Sequence, residues 1–118
     1  MSNVVRDKSF AFAVRIVKLY DILRRERGEH IMSKQLLKSG TSIGANVREA
    51  LNTQTQPDFV HKLSISQKEC DETLYWLELL KETEYMTPTE YQSIRSDAEE
   101  LLKIIRSIIL TSISNKNK

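Results

Sequence analysis

The sequence predicts an all-α fold: an antiparallel up-down-up-down four-helix bundle forming a single domain over residues 1–118. The chain contains only three glycines and two prolines, the residues that most strongly interrupt helices. Apolar residues recur every three or four positions in four long segments, and no clean alternation typical of strands recurs. Short polar connections between these segments favour antiparallel neighbours. We expect helices over about 5–27, 33–53, 57–82 and 88–112.

The first predicted helix carries two apolar stripes. One contains Phe10, Val14 and Val17, and the other contains Phe12, Ile16, Leu19 and Leu23. A helix on the surface of a monomer needs only one apolar stripe. We therefore expect this helix to face the core on one side and a second partner on the other, which predicts a homo-oligomer.

The second predicted helix contains two glycines in its middle, Gly40 and Gly44, four residues apart. An interior glycine costs a helix roughly 1 kcal/mol relative to alanine. Two glycines on one face therefore indicate close interhelical packing, because a larger side chain would keep the other backbone away. Ser33 is the expected N-cap of this helix.

Other residues predict where helices begin and end. Gly28 lies where a left-handed C-terminal cap is expected, and Pro57 suits the first turn of the third helix. Thr87, Pro88 and Glu90 form the pattern of a capping box with proline at the first helical position. The last residues, 114–118, are expected to be a frayed basic tail.

The charges are distributed unevenly. Residues 1–57 contain 10 Lys/Arg and 5 Asp/Glu, whereas residues 58–118 contain 8 and 11. The two halves could attract each other within the bundle or between subunits, or their charges could simply be solvated. Alternatively, the basic half could bind nucleic-acid phosphates. The candidate residues are Arg15, Lys18, Arg24, Arg25, Arg27, Lys34 and Lys38, with Arg6 and Lys8 as further candidates.

Several other kinds of site are not indicated. A di-iron bundle needs two ExxH motifs, which are absent, and Cys70 is the only cysteine, so we expect no metal and no cofactor. The hydroxyls around Gly40 do not follow a strand as a Walker motif requires. No apolar run resembles a signal peptide or a membrane span, and we expect a cytoplasmic protein without membrane contact.

Three segments carry a resemblance to a known family. The run LLKSGTSIGANVREA (36–50), the run FVHKLSISQKECDETLYWLELL (59–80) and the opening KSFAFAVRIVKLYDIL (8–23) resemble the bacterial four-helix-bundle proteins encoded by intervening sequences in 23S ribosomal RNA genes. The resemblance implies a homopentamer and a polar network between the second and third helices. That network would contain Asn46, Glu49, Lys62, Glu69 and Glu72. A related group, the accessory variability proteins of retroelements, binds nucleic acid.

From these features we expect a non-enzymatic scaffold or accessory protein that assembles with itself and binds RNA or DNA through its basic half. The alternative is a protein–protein interaction module that uses its acidic half or an apolar groove. An enzyme acting on a small molecule is the third hypothesis.

Overall fold

The computed structural model describes residues 3–116. It consists of α1 (Val4–Arg25), α2 (Met32–Leu51), α3 (Gln56–Glu82) and α4 (Pro88–Lys116), and this part of the chain contains no strand. Each helix packs against the one before it, and α4 also packs against α1, so the four helices enclose one core. The predicted all-α four-helix bundle is confirmed. None of the four helices is both long enough and apolar enough to cross a membrane.

Contacts between neighbouring helices show that each pair runs antiparallel. Along α2, Ser39 and Ile43 contact Thr73 and Ser66 of α3, so the numbers fall on one helix as they rise on the other. The same reversal holds between α1 and α2, between α1 and α4, and between α3 and α4. The topology is therefore up-down-up-down.

The core is built from the apolar stripes that the helical periodicity predicts. Its fully buried members come from all four helices and include Phe12, Ile16, Leu36, Ile43, Leu63, Leu77, Leu101 and Ile105. Cys70 also lies in this core, and burial raises the pKa of its thiol to about 12. A thiol that is so hard to ionise is a packing residue and a poor nucleophile.

The first connection begins earlier than expected. α1 ends at Arg25, two residues before the predicted boundary, because the backbone amides of Glu26 and Arg27 both turn back to the Ile22 carbonyl. Gly28 then adopts a left-handed conformation, with φ of 67°, as its position predicted. Arg27 consequently lies outside the helix.

The prediction of Ser33 as the N-cap of α2 is wrong. The capping group is the Glu29 carboxylate, which accepts the backbone N–H groups of Ile31, Met32 and Ser33 at 3.0, 2.9 and 2.6 Å. Ser33 is instead buried in the first turn, where its hydroxyl donates to the Glu29 carbonyl. A carboxylate four residues earlier thus supplies the acceptor that the sequence pattern assigned to a hydroxyl.

The helices α3 and α4 begin largely as predicted, but α4 ends later. Thr87 and Glu90 form the reciprocal capping box, with N–H to oxygen distances of 2.9 and 3.1 Å. The expectation that 114–118 is frayed is wrong for Ser114 to Lys116, which continue α4, while 117–118 lie outside the described residues. A contact near this end, from the Gln56 amide to the Ser112 carbonyl, joins α4 to the start of α3.

Candidate nucleic-acid interface

The two glycines of α2 lie directly against α1. A Cβ atom at Gly40 would be 2.7 Å from Cγ1 of Ile16, a distance that real side chains do not tolerate. A Cβ atom at Gly44 would be 3.2 Å from the backbone oxygen of Ser9. Their absent side chains therefore allow α1 and α2 to approach closely, which is a structural role.

Buried hydroxyls hold α2 against α3. The Thr73 hydroxyl donates to Ser39 Oγ at 3.0 Å, and the Ser66 hydroxyl donates to the Ile43 carbonyl at 2.9 Å. All three hydroxyl residues are fully buried. Because each of these contacts satisfies a polar group inside the core, together they favour one register between the two helices.

The five residues implied as a polar network form separate contacts near the α2–α3 surface. Lys62 Nζ lies 3.2 Å from the Glu49 carboxylate, so this pair does join the two helices. The Asn46 amide instead donates to the Ser42 carbonyl within α2. Burial raises the pKa of Glu69, with a further contribution from the charge and hydrogen bond of Glu72.

Three ion pairs join the beginning of the chain to α4. They are Lys8–Glu100, Arg15–Asp97 at 2.6 Å and Arg27–Glu90 at 2.6 Å. The basic first half and the acidic second half therefore attract each other within one bundle, which was one of the alternatives left open by the sequence. Arg15 also donates to the hydroxyl and the carbonyl of Ser93, which fixes its guanidinium along α4.

The Arg27–Glu90 pair is the most constrained of the three. Arg27 binds both oxygens of the Glu90 carboxylate and donates to the Tyr85 carbonyl at 2.7 Å. The hydrogen bond from Arg27 and the backbone N–H of Thr87 lower the pKa of Glu90 to about 2. Arg27 thus ties the connection after α1 to the turn before α4, and this role competes with binding a phosphate.

The predicted phosphate-binding residues therefore fall into two groups. Arg15, Arg25 and Arg27 already have carboxylate partners; that of Arg25 is Asp21, at 2.8 Å. Within residues 3–116, no ion pair involves Lys18, Arg24, Lys34 or Lys38. The second group has no carboxylate bound in an ion pair, although the charge of Lys38 reaches Glu69 and opposes the rise in the pKa of that carboxyl.

Two of these cations lie on one exposed face of α2. Lys34 and Lys38 are one turn apart and point away from the buried row of the helix. Arg48 lies further along the same face and is not among the phosphate-binding residues predicted from the sequence. Its signal was its spacing of 14 residues, two heptads, from Lys34 on a helix whose single acidic residue, Glu49, pairs with Lys62. We call Lys34, Lys38 and Arg48 the α2 basic face.

Arg24 has a different environment. Its guanidinium lies 5.4 Å from the centroid of the Tyr20 ring, and its Nε atom is buried without a hydrogen-bond partner in the described part of the chain. Tyr20 therefore covers part of this cation. Lys18 is exposed at the rim of a groove between α1 and α4.

The first apolar stripe of α1 is exposed, as its separation from the core stripe predicted. Phe10, Val14 and Val17 have 56, 39 and 48% of their surface accessible. The guanidinium of Arg48 lies 5.1 Å from the centroid of the Phe10 ring, so the stripe borders the α2 basic face. An apolar row beside unpaired cations can bind a second protein surface and an anion on adjoining areas.

The described part of the chain was also compared with the residue clusters that bind metal ions. Between residues 3 and 116, the structure brings together no group of three or more His, Cys, Asp or Glu that could hold a metal ion. Glu69 and Glu72, the two carboxylates predicted to lie in the polar network, are hydrogen-bonded to each other.

Comparisons with known proteins agree with the resemblance found in the sequence. The family model described as 23S rRNA-intervening sequence protein matches residues 1–107. A crystal structure from Bacteroides thetaiotaomicron, described as a protein with unknown function from the S23 ribosomal protein family, is similar, with a TM-score of 0.88 and 57% identity. The match covers 89% of this chain and 97% of that one. No curated protein matches the chain. The resemblance is therefore confirmed.

Proposed function

Because this chain belongs to the 23S rRNA-intervening sequence protein family, whose function is unknown, we propose a role from its surface chemistry. The protein is a non-enzymatic scaffold that assembles from identical copies and binds RNA or DNA phosphates through the α2 basic face. The observation that carries this proposal is the exposed stripe Phe10, Val14 and Val17 beside Arg48, a cation without a carboxylate partner among the described residues.

Self-association is supported by the three exposed side chains in a row on α1. Isolated exposed apolar residues are ordinary, but a continuous row on one helix face exposes apolar area that a partner would cover. The three side chains of the stripe carry no charge, so burying them requires no loss of charge hydration. A second copy of the chain is the simplest such partner, and the family resemblance implies a pentamer.

Nucleic-acid binding is supported by charge and by repetition. Lysine and arginine neutralise phosphates with little sequence preference, so the predicted binding is general for RNA and DNA. Three cations per chain give weak binding alone. An assembly repeats the α2 basic face once per subunit, and linked sites bind a long polyanion far more tightly than one site does.

The test is a fluorescence-anisotropy titration with a structured RNA, a DNA duplex and a single strand, at several salt concentrations. The matched variants are Lys34→Gln with Lys38→Gln, and Lys68→Glu on α3, because both lower the net charge by the same amount. We expect the α2 variant to weaken binding at least about tenfold. The slope of the logarithm of the binding constant against the logarithm of the salt concentration should also become shallower by about 2. Each lysine removed leaves one phosphate with its counterions.

Two results would count against this proposal. Equal losses of affinity in the two variants would mean that only net charge matters and would reject the α2 basic face. Absence of binding to all three probes at low salt would reject nucleic-acid binding altogether. A protein-docking oligomer would then be the better account.

A further inference from the structure

The end of α4 differs from the rest of the second half of the chain. Residues 101–118 contain four Lys/Arg and no Asp/Glu, although the second half as a whole is acidic. Residues 108–116 continue α4 beyond the range that the family model matches. On these turns, Leu110 and Ile113 have 67 and 44% of their surface accessible.

The exposed residues at this end of α4 form a basic and apolar face. Arg106 lies one turn before Leu110, Lys103 lies two turns before it, and both cations are exposed. Neither cation takes part in an ion pair within residues 3–116. We call Lys103, Arg106, Leu110 and Ile113 the α4 end face.

The last half of α3 has a surface of opposite charge, which also places exposed charged residues next to an exposed ring. Tyr75 is 57% accessible, and acidic residues surround it at helical spacing. These residues are Asp71, Glu72, Glu78 and Glu82, all exposed. We call Tyr75 and these four acids the α3 acidic face.

The two faces match in length as well as in charge. Residues 71–82 of α3 extend over about 17 Å and residues 103–113 of α4 over about 15 Å, at 1.5 Å per residue. The α4 end face has two exposed apolar side chains beside two cations, and the α3 acidic face has one exposed aromatic ring beside four acids, of which Glu82 also pairs with Lys81. Two such helices can bury their apolar residues against each other while their charges pair along the edges.

Within one chain the two faces lie in opposite halves of the α3–α4 pair and adjoin only at their near ends, where the charge of Arg106 reaches Cys70, next to Asp71. Gln56, at the start of α3, contacts Ser112 near the end of α4. Lys81, at the end of α3, lies over the ring of Tyr91, near the start of α4, at 4.7 Å. The partner of each face must therefore come from another molecule.

We propose that the α4 end face docks on the α3 acidic face of a second copy of this chain. The inference rests on the proposed self-association and adds a contact whose apolar part, Leu110 and Ile113, lies outside the family match. Because the two faces are different surfaces, a two-fold pair can make the contact twice, whereas a head-to-tail pair makes it once and leaves one face of each kind unoccupied. Head-to-tail contacts close into a ring or continue as a filament.

A charge swap in the full-length chain tests this contact. Lys103→Glu with Arg106→Glu should weaken assembly at least about tenfold, measured as the subunit dissociation constant by sedimentation equilibrium at low salt. Adding Asp71→Lys and Glu78→Lys to the same chain should restore assembly, because opposite charges would again face each other. Arg25→Glu, a charge reversal at an exposed position outside both docking faces and outside the α2 basic face, is the control and should leave the dissociation constant unchanged.

Circular dichroism establishes that each variant is folded, and Leu110→Ser, a change at an exposed position, is a second probe that should also weaken assembly. If the wild-type chain assembles and neither the charge reversal nor Leu110→Ser changes its dissociation constant, the contact is rejected while self-association stands. If reversal weakens assembly but the swap does not restore it, the pairing with α3 is rejected. A wild-type chain that is a monomer rejects both this contact and the proposed oligomer.

Discussion

The helix α1 packs against its two neighbours in contrasting ways. Against α2 it makes close steric contact, with Ile16 above Gly40 and the Ser9 backbone above Gly44, and no ion pair joins these helices in the described part of the chain. Against α4 the packing is sparser, and long charged side chains bridge the two helices. One contact therefore depends on shape and the other on charge. They should respond differently to substitutions, salt and pH.

The largest expected effect comes from filling the space above Gly40. Gly40→Leu should destabilise the fold by about 3 kcal/mol, because even its Cβ atom would collide with the buried Ile16. Ala45→Leu, at an exposed position of the same helix, is the control and should change stability by less than about 0.5 kcal/mol. Urea unfolding measures both, and equal midpoints for Gly40→Leu and wild type would disprove close packing here.

A smaller effect is expected at the connection between α1 and α2. Glu29→Ala should cost about 2 kcal/mol, since three backbone N–H groups lose their acceptor. Glu29→Gln, which keeps one acceptor oxygen, should lie between this variant and wild type in thermal unfolding. If both variants unfold like wild type, water satisfies these amides and the carboxylate is not the cap.

The ion pair between Arg27 and Glu90 should make the stability of the fold depend on pH. The folded-state pKa of Glu90 is about 2, below its ordinary value of 4.5, so the ionised carboxylate stabilises the fold above pH 4.5. That contribution should be lost as the pH falls from about 4.5 to about 2. Glu90→Gln should lower stability by about 1 kcal/mol at neutral pH and flatten the pH dependence in this range. If the stability of Glu90→Gln falls between about pH 4.5 and about pH 2 as steeply as that of wild type, Glu90 is not the source of this pH dependence.

The smallest effect is expected at the exposed pair of Arg15 and Asp97. Arg15→Ala should cost less than about 1 kcal/mol, because solvent screens a pair whose side chains are about half exposed. The difference from wild type should shrink further at high salt, whereas the cost of Gly40→Leu should not change. A loss of several kcal/mol for Arg15→Ala would mean that the α1–α4 contact is as tightly determined as the α1–α2 contact.

This contrast also explains which features the sequence could predict. Gly40, Gly44, Gly28 and the capping box of Thr87 and Glu90 express local backbone requirements, and such requirements leave a pattern in the sequence. The basic first half and the acidic second half could likewise be recognised from the sequence. The pairing of Arg15 with Asp97 was not, because it depends on the register between two helices more than 80 residues apart in sequence.

The same reasoning applies to the candidate interface. Three of the seven predicted phosphate-binding residues have carboxylate partners, and no single-chain pattern distinguishes Arg27 from Arg24 before the helices are packed. Arg48 could have been found, because it lies 14 residues, two heptads, after Lys34 on the same helix. Glu29 was missed because a buried carboxylate that caps a helix from four residues before Ser33 has no short motif.

The central claim is that α1 has a third partner, a second copy of the chain, beyond α2 and α4. Sedimentation equilibrium of the intact chain at micromolar concentrations, beside Val14→Lys in the exposed stripe, tests it most directly. We predict an oligomer for wild type and a shift toward the monomer for Val14→Lys, with helix content unchanged by circular dichroism. A wild-type chain that remains a monomer throughout this range would contradict the claim.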